Sequence, residues 1–355
     1  MTTGLFGIMP HHEKLETERK NLRGRLFLSD YHGGHPFLKE YLGELATSSP
    51  LQLADVSRYA GLDEDMALRT KIAELHSSYD GVRYSAAEVA PSGGSSSLLC
   101  TFCNWLMLSG YTRLHYLPPV YYKFAYLFRH FRIDPVPVTD RHALQEGFEL
   151  HLPDERTVLI LTDPIWYAGQ RVPERVLVTI REWQEATGSL VFVDGTFQYM
   201  RWDGTRAEAS ARLLAEQTLR MVSPTKYLGL HGYRCAYLLA PARYRDTLAE
   251  MHLNLHGEVT VSDRLFAHRV CDVMATSGNQ ALLGYIKRNY WRLIERGVVA
   301  AHLPVEAGFF LFAKVDAPPE RFLALDQKFF ELDGYSGYVR INLLNESAID
   351  ALRTN

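Results

Sequence analysis

The sequence has no apolar run of about 18 residues, the length a membrane-spanning helix requires. A membrane span is therefore excluded. No charge of one sign dominates: 38 Lys and Arg stand against 41 Asp and Glu, a net charge of −3. With no basic stripe or long run of like charge, nucleic acid is not an expected partner. Cysteine is scarce, with four residues in the 355. In a chain this long they read as reduced thiols of a cytoplasmic protein, not as a disulfide framework. The opening "MTTGLFGIMPHHEKLETERK" has only a short apolar patch before charge begins, so it does not read as a signal peptide. Metal-ligand spacing is missing too. Cys100 and Cys103 form a C-x-x-C inside the helix-like "SSSLLCTFCNWLML", with no second ligand pair, and core packing is their expected role. His32 and His35 lie among turn formers in "YHGGHP", with no acidic or thiol cluster beside them. No metal is expected.

What remains is a well-cored globular composition, 47% apolar and 22% charged, long enough for one large or two medium domains. Strand and helix signals alternate through the middle. "EVAPSGG", "RLHYLPP", "IDPVPV", "TVLILTDP", "LVFVDG", "TLRMVSP" and "RCAYLLA" read as extended. "SSSLLCTFCNWLMLSG", "VYYKFAYLFRHF" and "VPERVLVTIREWQEATG" read as helices; the last has proline near its start and glycine at its end. Continuous apolar strands alternating with helices predict an α/β fold with a mostly parallel sheet covered on both faces. Residues 1–45 are polar, with turns. From about 246 onward helices dominate, in "HGEVTVSDRLFAHRVCDVMATSG" and "NQALLGYIKRNYWRLIERGVVAA", before two strands, "GFFLFAKV" and "GYVRINLL". The expected division is a large domain over 46–245 and a smaller α+β domain built from 1–45 with 246–355.

In open α/β sheets ligands bind beyond the carboxyl ends of the strands. Three polar groups fall there. "SGGSSS" leads from a strand into a helix, whose free amides and dipole favour an anion. It lacks the ending of a Walker loop, and by itself such a stretch is more often just a turn and cap. Asp194 ends "LVFVD", the most apolar strand, where a carboxylate needs a cation or donors. Lys226 follows "TLRMVSPT", and Arg234 stands eight residues later. A desolvated lysine near another cation loses its proton readily and becomes a nucleophile toward carbonyls. Lysine, ring acid and anion site together suit pyridoxal 5′-phosphate.

The ordered set resembles the class I/II aminotransferases of the fold-type I pyridoxal-phosphate-dependent family. The family pattern S-x-x-K with an arginine eight residues on is present as Ser223, Lys226 and Arg234. The resemblance implies a seven-stranded large domain, Lys226 as the Schiff-base residue and general base, and Ser223 and Arg234 on the phosphate. It implies Asp194 on the pyridine nitrogen, Gly94 and Ser95 as phosphate-loop contacts, and Tyr121 of "PPVYYKF" stacked on the ring. Arg340 of "GYVRINLL" would bind the substrate α-carboxylate. "RYAGLDEDMALRTKIAEL" is similar to the family's early helix, with Tyr59 reaching the phosphate of a neighbouring subunit. The resemblance covers about residues 55–344. It implies an L-amino acid substrate, a 2-oxo acid acceptor and a homodimer. The alternative reaction is elimination, replacement or cyclisation of an amino acid by the same cofactor.

Three departures bear on the reaction. "DPIWYAG" replaces the family's N-P-x-N-P-T-G, so Trp166 stands where an asparagine normally bonds the cofactor's phenolic oxygen. Phe197 stands where a tyrosine bonds the same atom. Phenyl has no donor, and indole N–H is larger and differently placed. Tyr167 and Tyr199 are the nearby candidates to restore a contact. Finally, only thirty residues separate Phe310 from Arg340, a shortened small domain. "DYHGGHPFL" (30–38) is the candidate lid.

Overall fold

The computed structural model describes residues 4–30, 34–47, 65–142, 147–315, 319–331 and 334–352. The N-terminal segment differs from its polar, turn-rich expectation: it holds helix α1 (Ile8–Arg19). Ile8, Met9 and Leu15 are buried on one side of it. His12 stacks on Tyr122 with centroids 4.3 Å apart, and its Nδ1 lies 2.9 Å from the Tyr126 hydroxyl. These partners are more than a hundred residues along the chain, beyond any local reading. Strand β1 (Leu26–Phe27) and helices α2 (Leu38–Thr47) and α3 (Met66–Asp80) follow. Gly81, in the left-handed region, ends α3.

Seven strands then build one sheet: β2 (Val89–Ser92), β3 (Arg113–Tyr116), β4 (Asp134–Pro137), β5 (Val158–Thr162), β6 (Leu190–Gly195), β7 (Thr218–Val222) and β8 (Ala236–Leu239). Their order is β2-β8-β7-β6-β5-β3-β4. β3 to β7 run parallel, and β8 is antiparallel to both its neighbours. The reason for the reversal is the connection. A parallel return needs a crossover of a dozen or more residues, usually a helix. The segment from Ser223 to Cys235 has only a short 3₁₀ turn, so the chain comes straight back. Every residue of β5, β6 and β7 is buried. Each fully buried Val, Leu or Ile contributes roughly 1.5–3 kcal/mol.

Helices α4 (Ser95–Leu108), α5 (Lys123–Phe131) and α6 (Glu174–Thr187) join these strands. α6 starts after Pro173 and ends at left-handed Gly188, as its sequence signals predict. Cys100 and Cys103 lie within α4 as free thiols, Cys103 fully buried. Helix α7 (Ala242–His256) ends at Gly257, and α8 (Val261–Thr276) starts after Thr260, whose hydroxyl accepts from the Asp263 amide. The stretch read as one helix from His256 thus begins with a break. After α9 (Gln280–Ile294) comes a second, antiparallel sheet, β12-β10-β9, from β9 (Val299–His302), β10 (Phe310–Val315) and β12 (Tyr338–Asn342). Between the last two, β11 (Phe322–Leu323) pairs with β1 in parallel, and α10 (Glu346–Leu352) follows β12.

Candidate active site

Because β3, β5, β6 and β7 are parallel, their carboxyl ends share one rim, and β2 ends there too. Tyr121 follows β3, Trp166 follows β5, Asp194 is the penultimate residue of β6, Lys226 follows β7, and Ser95 opens α4 after β2. These residues, with Ser96, Thr196, Phe197, Met221, His231, Arg234, Phe309 and Phe310, line a single cleft of about 710 Å³.

Lys226 closes the 3₁₀ turn Pro224–Lys226, where its amide bonds the Ser223 carbonyl at 3.0 Å. The next residue anchors the loop. The Tyr227 hydroxyl is 3.1 Å from that of Tyr237, which is 2.6 Å from His76 Nε2 on α3. The other side of the His76 ring bonds the Tyr199 hydroxyl. Burial, then the nearby Arg234 and Arg340, draws the Lys226 ammonium down to about 7. Its Nζ lies over the Phe197 ring, 5.8 Å from the centroid.

Asp194 is buried, and burial raises its carboxyl above the ordinary range. Thr196 partly offsets this, donating its hydroxyl to Oδ1 at 2.5 Å and its amide at 3.1 Å. A buried acid facing a cleft, with only local neutral donors, suits a cationic ring nitrogen.

A cation stands at the start of α4. Gly94 precedes it with φ 141°, and a Cβ there would stand 2.8 Å from Nη2 of Arg234. Glycine suits that backbone, and any side chain there would push the guanidinium aside. Ser223, by contrast, is buried, its Oγ 3.2 Å from that of Thr225, and it is not among the cleft-lining residues. Lysine, acid and a cationic cradle in one cleft match the aldehyde, ring nitrogen and phosphate of pyridoxal 5′-phosphate, so the residues present fit that group.

Trp166 and Phe197 lie nearly parallel, with centroids 6.3 Å apart and planes at 17°. Tyr121 meets the indole edge-on at 5.7 Å. Asp163 holds the loop that carries Trp166, accepting from the amides of Val172 and Ser210. Neither candidate tyrosine restores a donor to the cleft. The Tyr167 hydroxyl bonds His142, the Tyr199 hydroxyl bonds His76, and neither residue lines the cleft.

Arg340 pairs with Phe312 across β12 and β10 and is fully buried. Its Nη2 donates to the Ser29 carbonyl at 3.0 Å. Its guanidinium carbon lies 4.2 Å from the Phe310 centroid and 5.1 Å from the Trp166 ring. Phe310 and Trp166 line the cleft; Arg340 stands behind them. From the candidate lid, His35 packs under the lysine loop, its Nε2 2.8 Å from the Leu228 carbonyl. His32 and Tyr59 lie outside the described residues. Among the described residues no cluster of metal ligands occurs.

Sequence reasoning missed Thr196, His231 and Lys123. Thr196 was readable, because a residue two past an aspartate commonly donates to it. His231 sits in the lysine loop itself. Lys123 is two residues past Tyr121, and its Nζ lies 2.6 Å from Ser96 Oγ.

The profile of the family described as "Aminotransferase class I and II" matches residues 44–352. Solved structures share the fold. An Escherichia coli protein, YbdL, with a methionine aminotransferase function, superposes with TM-score 0.74 at 16% identity, covering 97% of this chain and 96% of its own. Bna3p, a putative kynurenine aminotransferase of Saccharomyces cerevisiae, gives 0.77 at 13%, covering 98% and 95%. N-succinyldiaminopimelate aminotransferase of Mycobacterium tuberculosis gives 0.73 at 20%, covering 96% and 94%. No curated protein matches the sequence significantly.

Proposed function

The chain belongs to the class I and II aminotransferase family, and from that premise we propose which of its residues move an amino group from an L-amino acid to a 2-oxo acid. It is a pyridoxal 5′-phosphate-dependent aminotransferase. When bound, the cofactor supplies an aldehyde for the substrate amine and a ring that withdraws the electron pair left at Cα.

The chain's residues do the rest. Lys226 carries the cofactor and, once displaced by the substrate amine, takes the Cα proton as general base. Burial and the two arginines bring its ammonium down to about 7 in the apoprotein, a direction that suits the task. Asp194 holds a proton on the ring nitrogen. Tyr121, on the cleft wall, would stack against the ring. Ser95, Gly94 and Arg234 hold the phosphate, and Ser223 supports their loop from beneath. Arg340 takes the substrate carboxylate by a two-pronged contact, which requires the Trp166 indole to give way. With Tyr121, Trp166, Phe197, Phe309 and Phe310 on the walls, the favoured side chain is apolar. The observation that carries this reading is the shared cleft: a lysine brought to about 7 stands in it with a buried acid and a cationic cradle. We place the enzyme in the cytoplasm as a homodimer. The free cysteines accord with the first, and family membership supports the second. No helix among the described residues is long and apolar enough to cross a membrane.

The test is a panel of L-amino acids added to the holoenzyme. Transamination is expected to accumulate the amino form of the cofactor with an equivalent of 2-oxo acid, fastest for apolar side chains. A Lys226→Ala variant should lose turnover by at least about 100-fold. Oxo-acid release with the cofactor still in its aldehyde form would mean elimination instead.

A further inference from the structure

We propose that Lys123 is a second cation of the cofactor's phosphate site, joining Arg234 at the amino end of α4; this rests on the pyridoxal-phosphate reading above. Lys123 opens α5, two residues after Tyr121, so one short segment would serve both the ring and the phosphate. Its Nζ is 2.6 Å from the hydroxyl of Ser96, the second residue of α4. Ser96 lines the cleft beside Ser95 and Arg234. Arg234 reaches the same helix start over Gly94, near enough to act on the Lys123 ammonium.

The arrangement is unfavourable without an anion. A helix amino end carries partial positive charge and normally attracts acids, yet here a lysine and an arginine both approach it. The first turn of α4 holds no acidic residue. Burial, and then Arg234, disfavour the Lys123 ammonium, and among the described residues no carboxylate counters them. A lysine that merely caps a serine would have no reason to sit against a second cation and a like-signed dipole. A phosphate dianion resolves all three, taking donors from Lys123, Arg234, the serine hydroxyls and the free amides.

The experiment compares two ligands on apoprotein: pyridoxal 5′-phosphate, and pyridoxal, which has the same ring and aldehyde but no phosphate. Binding is read by absorbance titration, without substrate. Lys123→Gln should weaken binding of the phosphorylated ligand at least about tenfold and leave pyridoxal within about twofold. Lys123→Arg should recover most of the loss. Equal loss of both ligands would make Lys123 a structural residue and overturn the inference, as would undiminished binding of the phosphate ester. Pyridoxal binding also reports that the variant is folded. Wild-type apoprotein that takes up neither ligand would instead remove the cofactor reading, and the inference with it.

Discussion

Lys226 owes its chemistry to its neighbours. Removal from water disfavours its ammonium, and the two arginines on either side, Arg234 and Arg340, add repulsion. A free amine is required to attack the cofactor's aldehyde. The amine is protonated below about 7 and free above it, so cofactor uptake by apoprotein should quicken as pH rises and level off beyond about 7. Arg234→Gln removes one source of repulsion, so the midpoint should move to higher pH even as phosphate binding weakens. Stopped-flow absorbance across the pH range measures both. A rate that goes on rising through about pH 9 without levelling off would contradict the lowered lysine, because an ordinary lysine, at about 10.4, behaves that way. Asp194 shows the complementary case. Burial alone pushes it toward neutrality, and a cationic ring nitrogen restores its charge.

At the scale of elements, two devices set the site. The first is the turn from β2 into α4, where Gly94 has a backbone that L residues rarely adopt. Gly94→Ala adds strain of about 1–3 kcal/mol and drives a methyl against Arg234. Loss of stability in denaturant titration and weaker cofactor binding are the expected pair of results. Unchanged binding would show that Arg234 reaches the phosphate by another route. The second device is the buried bridge Tyr227–Tyr237–His76–Tyr199. It ties the lysine loop to β8, to α3 and to the segment carrying Phe197. Behind it, Arg220 donates to Asp80 at 2.9 Å and to the Tyr84 hydroxyl at 3.1 Å, so the charges under the loop are paired. The lysine therefore stands on a hydrogen-bonded platform and not on a mobile tip.

For the whole molecule, the parallel strands bring residues from 94 to 234 to one rim, while β10 and β12 close the cleft from the other side. Phe310 and Arg340 are the small sheet's contribution, with Phe309 just before it, and both Phe310 and Arg340 lie close to Trp166. A homodimer would complete the site if the partner's chain reaches the phosphate, as the family's architecture implies. Sedimentation should then give twice the mass of one chain, and specific activity should fall on dilution to the point of dissociation. A fully active monomer would refute this.

Much of this was present in the linear order of residues. Strands such as "VLILT" and "LVFVD" are apolar without interruption, and a run of that kind can only be buried on both faces, so the α/β class follows from local pattern. The lysine loop is likewise local: Lys226, His231 and Arg234 lie within nine positions, and their spacing alone ties lysine to arginine. What local pattern does not carry is contact between distant segments. Helix α1 forms because its buried side chains and His12 meet α5. Lys123 matters only because α5 turns its first residue toward the start of α4. Arg340 is legible as a strand arginine, but its place behind Trp166 depends on a strand and a loop separated by more than 170 positions. The residue types and their order thus determine the sheet and the cofactor chemistry, since burial and short-range spacing are properties of neighbours in sequence. The packing of one segment on another decides which cations face each other and which arginine is covered, because those energies depend on distances through space.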